Sequence, residues 1–227
     1  MLKNNNLLYA DTANLNEIIE ANELGAIRGV TTNPSLVSKE PKGNFDDLIK
    51  TLAEYCGSEE LSLSAEVFAL DYEGIISQAS DMNDKFKGIC NKFHVKIPVM
   101  YDGLKAIKKA KSLGISVNAT ACYTESQLQL CAAAGADYIS LFYCRAKYHG
   151  ANVNKILNRT SEYITKNNLS TKIIAGSIRS GLDVSDAWAY GADIVTTGLP
   201  VIKSMINHPL TTEAINQFDS DFKEWIA

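Results

Sequence analysis

Short apolar runs rich in β-branched residues alternate along this chain with longer stretches whose apolar residues recur at helical spacing. Residues 7–10 read as a first strand ending at Asp11. Residues 14–24 read as a helix with the stripe Leu15, Ile18, Ile19 and Ala21, Asn14 or Thr12 as N-cap, and Gly25 at its C-terminal end. The same alternation predicts strands at 27–32, 61–68, 93–99, 116–122, 138–143, 172–176 and 194–197. Helices are expected at 45–55, 71–83, 103–113, 124–134, 153–166, 182–190 and 201–206, and a polar loop after Asn33-Pro34. Two similar tetrads, Ala134-Gly135-Ala136-Asp137 and Tyr190-Gly191-Ala192-Asp193, mark equivalent helix-to-strand turns.

Strands separated by helices imply βαβ units and a parallel sheet. Eight such units in 227 residues favour an α/β fold closed as a (β/α)8 TIM barrel over an open sheet. After His208-Pro209 a further helix is expected at 211–225, with Ala214, Ile215, Phe218, Phe222, Trp225 and Ile226 at helical spacing. The barrel already has its helices, so this one packs back on the barrel or reaches a neighbouring subunit. No linker interrupts the chain, and residues 1–227 are read as one domain in which 209–227 form that extra helix.

Within the fourth strand, alternation places Val95, Ile97 and Val99 on one face and His94, Lys96 and Pro98 on the other. Lysine is seldom buried, and its ordinary place is a strand end from which it reaches solvent. Pointing into a barrel, Lys96 loses water, which favours the neutral, nucleophilic amine.

Composition narrows the setting. Hydrophobic residues make up 46% and charged residues 21%, as in an ordinary globular protein, and the net charge is −4. That balance argues against a nucleic-acid or anionic-membrane surface and leaves room for a small cationic pocket. The five cysteines form no CxxC pair, and their odd number suits a reducing compartment. Met1-Leu2-Lys3-Asn4-Asn5-Asn6 has no apolar core of a leader, and no run is long enough to span a bilayer. The expected location is the cytoplasm. His94, His149 and His208 lack metal-site clustering, so neither a metal nor another cofactor is expected.

Function in a barrel collects at the carboxyl ends of the strands. There stand Asp11 on the first strand, Thr31, Thr32 and Asn33 on the second, Glu66 on the third, and Asn118 and Thr120 on the fifth. Ser140, Phe142 and Arg145 follow on the sixth, and Ser177 and Arg179 on the seventh. Parity groups Ser64 with Glu66 and Phe68, Asn118 with Thr120 and Cys122, and Ser140 with Phe142 and Cys144. A desolvated lysine attacking a ketone needs an acid and a base for carbinolamine dehydration, roles open to Glu66 and Thr120. Asp11 can take a proton from a substrate hydroxyl, and two arginines beside a serine make a phosphate clamp. Each residue has a plainer reading as well: Asp11 as a helix cap, Glu66 as the structural partner of Lys96, and the arginines as surface residues. Their joint placement carries the argument.

Across essentially its whole length the chain resembles the transaldolases, in the short-chain branch that includes fructose-6-phosphate aldolase. The resemblance rests on Asp11-Thr12-Ala13, Gly29-Val30-Thr31-Thr32-Asn33-Pro34-Ser35, Val95-Lys96-Ile97-Pro98 and Ala175-Gly176-Ser177-Ile178-Arg179. It implies that Lys96 forms a Schiff base, that Asp11 is the acid–base group for carbon–carbon cleavage, and that Asn33 and Ser140 hold a dihydroxyacetone portion. It implies a phosphate site at Arg145 and Ser177 with Arg179 close by, a place in the pentose phosphate pathway, and a homo-oligomer. Short-chain members commonly form ring-like decamers in which the C-terminal helix crosses to a neighbour, so the resemblance implies a decamer or pentamer.

Members acting as aldolases carry glutamine where this chain has Glu66 and tyrosine where it has Phe142, so both positions imply transfer. Leu141, Tyr143, Cys144 and Gly176 depart from the usual pattern, and the bulky Tyr143 and the Cys144 thiol fall near the phosphate arginine, where they bear on rate and acceptor preference. The expected reaction moves a dihydroxyacetone unit from fructose 6-phosphate or sedoheptulose 7-phosphate to an aldose phosphate. The alternatives are an aldolase releasing free dihydroxyacetone and, from another class, a non-catalytic barrel that binds sugar phosphates.

Overall fold

The computed structural model describes residues 6–227, so most of the N-terminal stretch read above for a leader lies outside the described residues. The strands are β1 Leu7–Asp11, β2 Ile27–Thr31, β3 Ser62–Glu66, β4 Phe93–Pro98, β5 Val117–Cys122, β6 Tyr138–Phe142, β7 Lys172–Gly176 and β8 Ile194–Thr197. They close in sequence order into a barrel in which every neighbouring pair is parallel, β8 returning to β1. The helices are α1 Leu15–Glu23, α2 Pro34–Val37, α3 Phe45–Ser58, α4 Tyr72–Phe86, α5 Tyr101–Ser112, α6 Glu125–Ala133, α7 Tyr143–Tyr148, α8 Val153–Lys166, α9 Gly181–Ala189, α10 Leu199–Ile206 and α11 Pro209–Ile226. The chain is therefore a (β/α)8 TIM barrel with an extra C-terminal helix.

Local chemistry sets many of the boundaries. Asn14, not Thr12, caps α1, its side chain accepting from the backbone N–H of Glu17. Thr124 and Gln127 form a reciprocal capping box on α6. The repeated Gly-Ala-Asp turns act alike: Gly135 and Gly191 have φ of 94° and 106°, a region open to glycine. Asp137 and Asp193 then accept backbone N–H groups from Val117 and Ile173 at the start of the preceding strands.

Outward-facing residues such as Val95, Ile97, Val117, Ala119, Ile139 and Leu141 are fully buried in the main hydrophobic core. The opposite faces point inward, where their polarity is available to a site. The alternation fails in three places. Ala121 takes φ of 61°, and the β5–β6 register shifts between Ala119 and Cys122. That bulge removes Cys122 from the inward face of Asn118 and Thr120 and lays it against Cys131 of α6. In β6 the chain turns helical at Tyr143, so Cys144 does not continue the face of Ser140 and Phe142. Phe68 likewise lies beyond β3, edge-to-face on Phe45 with ring centroids 4.6 Å apart.

No residue of α11 is buried, and Leu210, Ile215, Phe218, Phe222, Trp225 and Ile226 are all exposed. The helix does not pack back on its own barrel. Among the described residues, no helix is long and apolar enough to cross a membrane.

The amino-terminal end of the barrel is filled by Tyr9, Tyr138 and His94. The two hydroxyls are 3.3 Å apart, and His94 stacks on Tyr138 with ring centroids 4.2 Å apart. Gly29 makes room, since a Cβ there would come within 2.7 Å of the Tyr9 ring. His94 Nδ1 lies 2.9 Å from the carbonyl oxygen of Lys92. Burial pushes His94 down from its ordinary 6.5 to about 4, against the opposing hydrogen bond to that carbonyl. The unfolded chain thus takes up a proton on His94 at higher pH than the folded barrel. Its stability contribution is complete above pH 6.5 and is lost as pH falls toward 4. The full shift corresponds to about 3 kcal/mol. In chemical denaturation from pH 7.5 to 4.5, His94→Phe is expected to flatten the acid side of the stability profile.

Candidate active site

Lys96 lies within β4 and points into the barrel, with 4% of its surface exposed. Its Nζ donates to the carbonyl oxygen of Thr32 at 2.7 Å and lies 3.3 Å from Oε2 of Glu66. The β3–β4 register pairs Glu66 directly with Lys96, so sheet geometry holds the carboxylate beside the amine. A buried amine is costly without such partners. Among the described residues, those within hydrogen-bond or ion-pair reach are one carboxylate and one carbonyl oxygen.

Asp11 approaches from the end of β1. Its Oδ1 accepts from Thr31 Oγ1 at 2.7 Å, and Thr31 in turn lies 2.7 Å from the Thr196 hydroxyl. Burial pushes the Asp11 carboxyl above its ordinary 3.8. The charge of Lys96, the Thr31 hydrogen bond and the charges of Arg179 and Lys39 oppose that shift without cancelling it. An acid displaced upward in this way is suited to accept and return a proton.

Asp11, Thr31, Asn33, Lys96, Thr120, Ser140, Phe142, Gly176, Ser177 and Thr196 line a small inner chamber of about 30 Å³. Thr120 Oγ1 is buried with no hydrogen-bond partner among the described residues, so its polarity is available to a bound molecule. Asn33 caps α2 through its side-chain oxygen, which accepts from the Leu36 N–H, leaving its amide nitrogen as a donor. Asn118 is placed differently from the expectation of a direct ligand contact. It is fully buried behind Ser140, accepting from the Ser140 hydroxyl at 2.7 Å and donating to Ser64 at 3.2 Å. It orients Ser140 and does not line the chamber.

Above the chamber a wider mouth of about 430 Å³ contains Glu66, Lys39, Arg145, Ser177 and Arg179. The Arg145 guanidinium sits 4.8 Å from the Phe142 ring centroid and 3.4 Å from the Tyr123 hydroxyl. Arg179 donates to the carbonyl oxygen of Ile178. Neither arginine forms a carboxylate ion pair among the described residues, so both can meet an external anion. Ser177 takes φ of 59°, a conformation strained for serine, at the turn between them. An amine at the bottom and cations at the rim suit a molecule with a carbonyl at one end and an anionic group at the other.

Two residues of this site escaped the sequence reading. Thr196 was visible in principle, because strand alternation in β8 turns it inward as it does the others. Lys39 carried no comparable signal: it lies past α2 in an expected loop, and only the folded chain brings it to the mouth. Among the described residues, no cluster of three or more His, Cys, Asp or Glu side chains is arranged to hold a metal ion.

Residues 8–227 match the family model described as Transaldolase/Fructose-6-phosphate aldolase. A relative named "Probable transaldolase" in Shouchella clausii (strain KSM-K16) is 41% identical over 216 residues, covering 95% of this chain and 96% of the relative. Another so named in Clostridioides difficile (strain 630) is 39% identical over 215 residues, covering 95% and 96%. Among solved structures, a cube-shaped, porous protein cage designed by fusing symmetric oligomeric domains aligns with a TM-score of 0.60. The alignment has 12% identity and covers 99% of this chain and 79% of that one, a likeness of fold alone.

The environment of Asp11 has a thermodynamic signature. A carboxyl with a raised folded-state pKa contributes stability below its unfolded value of 3.8 and loses it as pH rises through the folded value. Once pH has risen through the folded value, the buried carboxylate is therefore a burden on the fold. Asp11→Asn is expected to unfold at a higher temperature than the unaltered protein at pH 7, with the difference shrinking toward pH 4. Thermal melts at both pH values check this.

Proposed function

Because the chain belongs to the transaldolase/fructose-6-phosphate aldolase family, we propose that it transfers a dihydroxyacetone unit between sugar phosphates through a Schiff base on Lys96. The observation that carries this reading is the Lys96 amine, enclosed with Glu66 beside it, in a chamber whose mouth holds two arginines that form no carboxylate ion pair among the described residues.

Lys96 attacks the C2 ketone of fructose 6-phosphate or sedoheptulose 7-phosphate. Glu66 and Thr120 assist loss of water from the carbinolamine. Ser140, oriented by Asn118, and the amide nitrogen of Asn33 hold the hydroxyls of the first three carbons, while Arg145, Ser177 and Arg179 hold the phosphate. Asp11 removes the C4 hydroxyl proton as the C3–C4 bond breaks, and the iminium takes up the electron pair. No metal is needed to hold that charge. The first aldose phosphate departs, and the enamine left on Lys96 adds to the carbonyl of an aldose phosphate such as erythrose 4-phosphate, whose oxygen takes back the proton from Asp11; water then hydrolyses the new iminium, releasing the ketose phosphate and freeing the Lys96 amine. Glu66 and Phe142 support transfer over release to water, because the family's aldolases resemble this chain less at those positions. The same reading places the protein in the pentose phosphate pathway, in the cytoplasm, as a homo-oligomer using the exposed apolar face of α11.

Glyceraldehyde 3-phosphate release from fructose 6-phosphate is expected to be sustained only when erythrose 4-phosphate is present. Equal release without the acceptor would make the protein an aldolase, and no product in either case would leave a sugar-phosphate-binding barrel. Lys96→Met is expected to abolish turnover and borohydride trapping of dihydroxyacetone while retaining phosphosugar binding. Asp11→Asn should lower turnover by about 10²–10⁴-fold. Unchanged turnover in Lys96→Met would overturn the mechanism.

A further inference from the structure

The side chains beneath the two rim arginines are joined by contacts that the proposed chemistry does not use. Arg145 lies on α7, and Arg179 lies in the turn between β7 and α9, so their spacing depends on how those segments are fastened together. Lys147, one turn from the start of α7, donates to Asp183 Oδ1 at 2.9 Å. The other Asp183 oxygen accepts from the Ser180 hydroxyl at 2.7 Å, and that hydroxyl also caps α9 by accepting the Asp183 N–H. Between these segments the buried Cys144 thiol lies against the Asp183 carboxylate and the backbone N–H of Arg179.

We propose that Lys147, Asp183 and Cys144 form a positioning cluster that sets the spacing of Arg145 and Arg179 and thereby the affinity of the mouth for a phosphate dianion. Cys144 is next to Arg145 in the chain and faces the backbone N–H of Arg179, so it stands between the segments that carry the two cations. Asp183 is only 8% exposed and is pinned from three sides, which gives α7 a fixed anchor in α9. The charges agree with these roles. Burial pushes the Cys144 thiol up to about 11, so at neutral pH it keeps the proton with which it donates to Asp183. Burial also acts to raise the Asp183 carboxyl, but the hydrogen bonds from Ser180, Lys147 and Cys144 outweigh it and hold the group below its ordinary value.

The isolated Lys147–Asp183 pair, half exposed at the lysine, would add little to global stability. Its effect is geometric. A bidentate or two-arginine grip on phosphate depends on donor spacing, and loosening the support of that grip weakens it without touching the amine at the bottom of the barrel. These are positioning residues, since none of the three lines the chamber or the mouth.

The inference rests on the phosphate site of the proposed function, and its test does not require turnover. Inorganic phosphate binding to the full-length protein is measured by titration calorimetry. Borohydride trapping with unphosphorylated dihydroxyacetone reports separately on Lys96. Lys147→Met and Cys144→Ala are each expected to weaken phosphate binding by about three- to tenfold while trapping stays within about twofold of the unaltered protein. Lys147→Arg, which keeps the cation, should restore the affinity. If ketose phosphates are turned over, KM for fructose 6-phosphate should rise by the same factor with kcat preserved. The proposal is overturned if either loss-of-contact variant binds phosphate like the unaltered protein, if trapping falls in parallel with binding, or if the unaltered protein does not bind phosphate. Lack of turnover accompanied by the expected loss of phosphate affinity would instead reject the transferase reading and leave the positioning cluster standing.

Discussion

The Nζ of Lys96, held out of water between a carbonyl oxygen and a carboxylate, makes the contact around which the upper half of the barrel is arranged. It cannot be understood from β4 alone. The Thr32 carbonyl lies just past the end of β2, and the Glu66 carboxylate is brought alongside by the β3–β4 register. Closing the barrel turns residues that are 30 to 64 positions apart into immediate neighbours. Burial at such a point makes each polar group strongly dependent on the others, because few alternative partners are within reach.

The surrounding polar residues divide into those that face the chamber and those that hold them. Thr120 presents a hydroxyl without a partner among the described residues, whereas Asn118, two residues earlier on the same strand, has both ends of its amide engaged. Asn33 belongs to both groups, since one side of its amide caps α2 and the other is available. Asp11 is tied through Thr31 to Thr196, which links three strands around the rim. Rigid support of this kind is what allows a small chamber to orient a substrate.

Much of this was legible in the sequence because both periodicities are strong. Alternation within β4 and β3 placed Lys96 and Glu66 inward, and the glycines at 135 and 191 marked turns that have the expected left-handed backbone. What resisted reading was local backbone behaviour that breaks a period. The positive φ at Ala121 reverses the face of Cys122, yet alanine gives no warning of a bulge. The chain enters α7 at Tyr143 directly from β6, so strand parity carried two residues past the strand end misplaces Cys144. Asn118 was correctly turned inward, but burial behind Ser140 depends on side chains from β3 and β6 that no single strand reveals.

The stacked His94 and Tyr138, with Tyr9 beside them, stopper the amino-terminal end of the barrel. A vessel stoppered below is filled and emptied through one neck. Under the proposed reaction, the departing aldehyde and the arriving one must use the passage between the arginines and α2 in turn. The order of events is then imposed by architecture: the first product clears the neck before the second substrate reaches the enamine. Traffic control of this sort needs no moving lid, only a floor that does not leak.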